Sequence, residues 1–261
     1  MSILVSAAVV LRCLSEGVAE ITVSDLVRRS GMPKSNASRL LRAMRDAGFL
    51  ETVEGSKRFR PSQMLVDVGR VYRRSSSLVM RADAVVRAVS ARCGHTGYVS
   101  KRDGVNITAV TDHPGTNALR VVSSVGRVLP AFASATGRSL LARLDDGEVA
   151  ALYDGRLPPA PSASAPQGFD GLIERLHDIR RTGIATSHDE ANRGVAAVAV
   201  AVGDPESGED VALCIVLPAA TSDPAERDEI ARALHQGAAE IAALFGDPKF
   251  INLPAADRQA A

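Results

Sequence analysis

The chain has 261 residues, 46% hydrophobic and 3% aromatic, with 31 Lys and Arg against 30 Asp and Glu. That balance excludes a disordered, fibrous or supercharged protein and suffices for one large domain or two ordinary ones. Three scattered cysteines (Cys13, Cys93, Cys214) exclude a disulfide framework and a CxxC metal knuckle, and no apolar run approaches the roughly 18–20 residues of a membrane span.

The near-zero total hides an asymmetry. Residues 1–80 hold 13 Lys and Arg against 7 Asp and Glu, and the remainder holds 18 against 23. A basic front and an acidic rear suggest two domains with different partners, the first of them a polyanion.

The apolar start, Met1 to Leu14, has no leading basic segment and no small-residue cleavage site. It reads as a buried helix, not a signal peptide, and the expected location is the cytoplasm. Val9, Val10, Leu11 and Leu14 give Ser6 to Ser15 a helical spacing, ended by Gly17. Thr22-Val23-Ser24-Asp25 reads as a capping-box start for a helix that runs to Arg29. Gly31 supplies the positive φ of a tight turn, and Pro33 suits the first position of the next helix. Helix, glycine turn, helix is the helix-turn-helix layout.

The second of these helices has a clear wheel. Ala37, Leu40, Leu41 and Met44 recur at i, i+3, i+4 and i+7 and form the expected buried face. At about 100° per residue, Ser35, Arg39 and Arg42 fall opposite, flanked by Asn36 and Ser38, with Lys34 at the start. Ser, Asn, Lys and Arg side chains hold phosphates and read base edges, Arg suiting guanine and Asn suiting adenine. Gly48 closes the helix. Phe49–Thr52 and Ser56–Arg60 read as two short strands around Glu54-Gly55, and Lys57, Arg58 and Arg60 make the hairpin a basic wing that grips phosphate. Residues 63–80 read as a linker helix, in which Ser75-Ser76-Ser77 marks a flexible joint or a kink.

Further on, β-rich apolar runs lie at Val105–Val110, Leu119–Ser123, Val195–Val202 and Val211–Leu217. Helical runs lie at Gly137–Leu144, Gly171–Arg181 and Pro224–Leu244. Strands and helices intermix, as in an α+β or α/β sheet packed by helices. Pro158–Gly168, PPAPSASAPQG, reads as a flexible or polyproline-like loop.

Four ordered segments carry a resemblance. TVSDLVRRSGMPKSNASRLLRAMRDAGFLE (Thr22–Glu51) closely resembles the winged helix of IclR-family transcriptional regulators. VGRVLPAFASATGRSLLARL (Val125–Leu144), GIATSHDEANRGVAAVAVAV (Gly183–Val202) and DVALCIVLP (Asp210–Pro218) resemble that family's effector-domain motifs. The resemblance covers about residues 5–246. It implies an α+β chain of two domains. The N-terminal winged helix-turn-helix would span 1–62 and the linker helix 63–80. A GAF-like antiparallel-sheet domain packed by helices would span 81–248, with a tail at 249–261. It also implies a homodimer or dimer of dimers on a palindromic double-stranded DNA operator, controlled by a small-molecule effector; from the residues themselves no cofactor, no metal and no membrane association is expected.

Carried over by position, the effector site comprises Ala135, Thr136, Ser187, His188, Ala197, Cys214 and Val216. The helix opening at Ala135-Thr136 offers backbone N–H groups to a carboxylate. The chain departs from the family's small-acid binders. Ser187 stands at an acidic position, Ala197 at a cysteine, Cys214 and Val216 at serines, Leu217 at a glycine and Arg138 at a lysine. A less polar pocket implies a larger, aromatic or partly apolar carboxylate, since polar groups are costly to leave unpaired.

His188, Asp189, Glu190 and Asn192 form a polar cluster that reads as a solvated loop rather than a metal site. His113 is expected on an exposed Pro-Gly loop, and Cys214 as a core thiol. An enzyme would need Ser134 or Cys214 to act with His188 and Asp189, but no nucleophile elbow or phosphate loop is present. The expected function is a ligand-responsive regulator, more a repressor than an activator, of catabolic or transport genes. The alternative is a ligand-binding enzyme or sensor of the GAF-like class that lacks operator-specific DNA binding.

Overall fold

Thr22 begins the helix-turn-helix as its residue types require. Its hydroxyl accepts from the Asp25 N–H while the Asp25 carboxylate accepts from the Thr22 N–H, both at 3.1 Å. This reciprocal pair satisfies two N–H groups that a helix start leaves unbonded. The computed structural model describes residues 3–15, 18–75, 77–121 and 125–251. Gly17, Ser76, residues 122–124 and the last ten residues of the expected tail lie outside these, as do the side chains of 70 and 72–75. The chain divides into two compact units, Met1–Ser76 with Gly126–Val128, and Ser77–Val125 with Leu129–Ala261.

The first unit runs α1 (Ile3–Ser15), α2 (Val23–Ser30), α3 (Lys34–Asp46), β1 (Leu50–Thr52), β2 (Phe59–Pro61) and α4 (Gln63–Ser75). Gly31 closes α2 with φ of 66°, a conformation glycine adopts without steric cost. Pro33 stands one place earlier than expected. It caps α3, and its carbonyl accepts from the Asn36 and Ala37 N–H groups. The four residues buried on α3 are Ala37, Leu40, Leu41 and Met44, the face read from the wheel. They pack with Val10, Leu26, Leu50 and Phe59 into one core. β1 and β2 pair antiparallel with Glu51 opposite Arg60, and Ile21 bridges to Phe59. The second wing strand is shorter than expected, which leaves Lys57 and Arg58 in the turn.

The second unit runs α5 (Ser77–Cys93), β3 (Thr96–Asp103), β4 (Asn106–His113), β5 (Val128–Pro130), α6 (Ala135–Leu141), α7 (Asp146–Leu152), α8 (Gly168–Thr182), β6 (Ala185–His188), β7 (Val195–Asp204), β8 (Glu209–Pro218), α9 (Pro224–Phe245) and α10 (Pro248–Ile251). Its six-stranded sheet has the order β5-β4-β3-β8-β7-β6, with antiparallel pairing of β4 to β3, β3 to β8, β8 to β7 and β7 to β6. The molecule is thus α+β, with an N-terminal helix-turn-helix and a C-terminal antiparallel sheet packed by helices.

Alternation along β7 sorts the two sheet faces by size. Val198, Val200 and Val202 point to the face covered by α5 and α9, where they meet Leu213 and Ile215. Ala197, Ala199 and Ala201 point to the other face, with Ala212, Cys214 and Val216, beneath α6 and α8. Small side chains there let α6 approach closely. The chain entering α6 is packed as tightly, since a Cβ on Gly137 would lie 2.2 Å from the Ala131 carbonyl oxygen.

Four further expectations change. The linker helix does not run to residue 80: α4 ends at Ser75 and α5 continues from Ser77 to Cys93, because Leu78, Val79 and Ala82 are buried in the second core. The tail does not begin at 249: Phe250 is buried against His235, with ring centroids 5.0 Å apart. Residues 119–121 form no strand, and 122–123 lie outside the described residues. The Pro/Ala/Ser loop is anchored, with Ala165 buried and the Gln167 amide donating to the Ala165 carbonyl at 2.7 Å. No helix among the described residues is long and apolar enough to cross a membrane.

Candidate functional site

In the first unit, burial of one face of α3 forces the other outward. Lys34, Ser35, Asn36, Arg39 and Arg42 are exposed, and Ser38 is half-buried at the edge of the stripe. Arg39 Nη2 donates to Asn36 Oδ1 at 2.7 Å across one turn. The wing is less uniformly cationic than its sequence. Arg60 Nε lies 2.6 Å from Glu51 Oε1, its cross-strand partner, and Arg58 Nη1 lies 3.6 Å from Glu20. Lys57, next to Arg58 in the turn, is exposed. Exposed ion pairs add at most about 1 kcal/mol of stability, but each places a carboxylate where a phosphate would compete for the cation.

In the second unit, sheet register assembles residues that are far apart in sequence. Ser187 pairs with Ala197, Ala197 with Val216, and Val216 with Thr96, in one row across four strands. The next row on that face holds Ala185, Ala199, Cys214 and Tyr98. Thr136, buried in the first turn of α6, is near enough to Cys214 to pull its thiol pKa down slightly against burial. Ala135, Thr136, Ala197, Cys214 and Val216 are all buried, and Ser187 is half-buried. Six of the seven expected effector residues therefore share one sheet face and the helix above it.

His188 does not join them. It pairs with Ala196, on the opposite pleat from Ala197, and its side chain is 57% exposed beside Asp189 at 3.4 Å. Nor is the polar loop wholly solvated. Glu190 is buried and forms an ion pair with Arg138, whose guanidinium also donates to the Phe132 carbonyl at 3.0 Å and the Thr186 carbonyl at 2.6 Å. Burial lowers the Arg138 pKa, against a smaller upward pull from the adjoining Glu190 carboxylate. This cluster ties α6, β6 and the following loop together. No group of three or more His, Cys, Asp or Glu suited to a metal occurs among the described residues.

Full burial pushes the Cys214 thiol up to about 12, against a smaller pull from Thr136, so it is a thiol in the core and not a nucleophile. His113 is not on an open loop: it ends β4 and bonds Asp83 Oδ1 at 2.8 Å. A cavity of about 670 Å³ lies at the far end of α6, lined by Arg143, Asp146, Ile179, Arg180 and Phe250 among others. Its arginines are committed, Arg143 to Asp210 and Asp247 and Arg180 to Asp146 and two helix-end carbonyls.

Residues 4–54 match the IclR helix-turn-helix domain, and residues 71–243 match the C-terminal domain of bacterial IclR transcriptional regulators. The chain belongs to the IclR family. It is similar to the HTH-type transcriptional regulator XynR of Escherichia coli, 28% identical over 246 residues, covering 92% of this chain and 95% of that one. It is also similar to a solved IclR regulator from Silicibacter, with 25% identity, a TM-score of 0.81 and coverage of 95% and 99%. An IclR homologue from Microbacterium hydrocarbonoxydans, solved with 4-hydroxybenzoate, shares the fold at 20% identity, a TM-score of 0.73 and coverage of 93% and 100%.

IclR regulators bind DNA and small-molecule effectors, and the relatives are named as regulators rather than enzymes. Within that frame, sequence reasoning missed Tyr98, which sits in the second row of the sheet face. Its strand, TGYVSKRD, is too polar at one end to stand out as apolar β-structure. It named Arg138 and Glu190 separately but missed their pairing across 52 residues, for which no local signal exists.

Proposed function

We propose that this IclR regulator is an effector-controlled repressor of catabolic or transport genes. A dimer, or a dimer of dimers, places two copies of α3 in successive major grooves of a palindromic operator, about 34 Å apart. Lys34, Ser35, Asn36, Ser38, Arg39 and Arg42 face the groove, while Lys57, Arg58 and Arg60 meet flanking phosphate. One observation carries this reading: the polar, cationic stripe of α3 is exposed opposite its buried face, within a winged helix.

The effector is an aromatic or partly apolar carboxylate, held against the face that carries Ala197, Val216, Cys214 and Ser187, with Thr136 above it. The supporting observation is composition: that face is built mainly from alanine, valine and cysteine, its hydroxyl groups include those of Thr136, Ser187, Tyr98 and Thr96, and the Thr96 hydroxyl is already committed to the Val121 carbonyl. A pocket with few polar groups disfavours a ligand with many. Ligand affinity that differs between conformers of different α3 spacing then shifts their populations, which is the only way binding can control the operator.

The test is a thermal-shift screen of aliphatic and aromatic carboxylates. A ligand at 100 times its Kd adds about 2.7 kcal/mol. The expected result is a shift with 4-hydroxybenzoate-like acids that a Thr136→Val substitution reduces. A shift with glyoxylate- or pyruvate-like acids alone would sink the apolar-ligand reading.

A further inference from the structure

We propose that Asn36 is a positioning residue for Arg39, and that the two read one guanine together rather than an adenine and a guanine side by side. This rests on the operator-binding reading of α3 given above. Both residues lie on the exposed face of α3, three apart, where side chains meet across one helical turn. Arg39 Nη2 donates to Asn36 Oδ1 at 2.7 Å.

The chemistry of the two bases separates the possibilities. Bidentate readout of adenine needs both ends of the Asn amide: the oxygen accepts from N6 and the NH2 donates to N7. Here the oxygen is turned along the helix toward Arg39. Turning it to an adenine edge would break that bond. Guanine presents two acceptors, N7 and O6, and needs two donors from a guanidinium. Arginine has five N–H donors, so one can serve Asn36 while a pair meets guanine. The long Arg side chain has much rotamer freedom to lose on binding, and a bond to the short Asn restrains it before DNA arrives. Asn36 thereby acts through Arg39, with its carbonyl as the working group.

That assignment makes Asp a functional substitute and Ala not. A carboxylate at position 36 still accepts from Arg39, but it has no donor for adenine N7. The experiment selects duplexes from a random library with full-length wild type, Asn36→Ala, Asn36→Asp and Arg39→Ala, and scores preference at each base pair. Wild type should select a guanine whose preference disappears in Arg39→Ala. That preference should fall about 10-fold in Asn36→Ala, a share of what a bidentate contact contributes. In Asn36→Asp it should persist, although overall affinity drops from the added negative charge. Melting temperatures of these exposed-site variants should stay with wild type.

Three results overturn the proposal. Asn36→Ala could erase an adenine preference at a separate base pair, Asn36→Asp could lose the guanine preference as fully as Asn36→Ala, or Asn36→Ala could leave it intact. A wild type that selects no motif fails differently. It overturns the operator reading itself, and is told apart because Arg39→Ala then behaves as wild type does.

Discussion

Two parts of this chain, the exposed stripe of α3 and the core of the sheet unit, use arginine in opposite ways. On α3, Arg39 and Arg42 are exposed and are held, at most, by a neutral amide. In the sheet unit, Arg138 is 1% exposed and enclosed by Glu190 and two carbonyls, while Arg143 is pinned by Asp210 and a fully buried Asp247. The first arrangement leaves charge for a partner, and the second consumes it inside the fold. Composition counts both as basic residues, so a net charge by region says nothing about which arginines remain to bind. The wing repeats the lesson on a small scale, since Arg58 and Arg60 sit beside carboxylates and Lys57 is placed in the turn.

The contrast is sharpest where a buried pair is broken. Glu190→Ala leaves the Arg138 guanidinium uncompensated in the core and should cost about 3–5 kcal/mol in urea unfolding. Replacing both partners, as Arg138→Met with Glu190→Leu, should recover most of that loss. If Glu190→Ala cost under about 1 kcal/mol, the pair would be no more than a surface bridge, and the contrast between the units would fall.

On the exposed side, Arg39→Ala should leave stability within about 0.5 kcal/mol of wild type, as for surface substitutions generally. Its loss should appear in discrimination between operator and random duplex, at about 1–3 kcal/mol. A large drop in melting temperature would show that Arg39 is structural.

Thr22→Ala should cost about 1 kcal/mol by removing the cap of α2. The Thr22 hydroxyl and N–H hold the Asp25 carboxyl below its ordinary value. A depressed carboxyl contributes stability above its unfolded pKa and loses it as pH falls through the folded one. The gap between wild type and Thr22→Ala should therefore narrow in acid, below the ordinary carboxylate range. A gap that widened there would reverse the assignment.

The smallest effects separate the wing cations. Lys57→Ala should flatten the salt dependence of DNA binding by close to one phosphate contact, about 0.9 in log–log slope. Arg60→Ala should change it less, because Glu51 already faces that guanidinium. Equal slopes for the two variants would show that the Arg60–Glu51 pair opens on DNA.

Legibility followed the range of the interactions. The buried face of α3, the Thr22 capping box and the Gly31 turn were all readable, because each depends on neighbours within one or two helical turns. The apolar strands β7 and β8 were readable for the same reason, as runs of hydrophobic residues. The short strand β6 and the polar-ended β3 were not, since their identity comes from pairing with those two. The effector row was half legible. Family position named Ser187, Ala197 and Val216, but only the register showed them as direct neighbours and turned His188 to the other face. Glu190 looked like a member of a solvated loop because its partner is 52 residues away.

What the sequence by itself determined is the set of local decisions: where helices start and stop, which face of α3 is apolar, and which strands are rich enough in valine and alanine to be core. Helical period, caps and strand alternation are properties of a few consecutive residues, so they survive without a fold. Tertiary structure alone decided which charges are spent and which remain. An arginine becomes a scaffold group or a binding group according to what the fold places within about 4 Å of it, and that depends on chain segments far away in sequence.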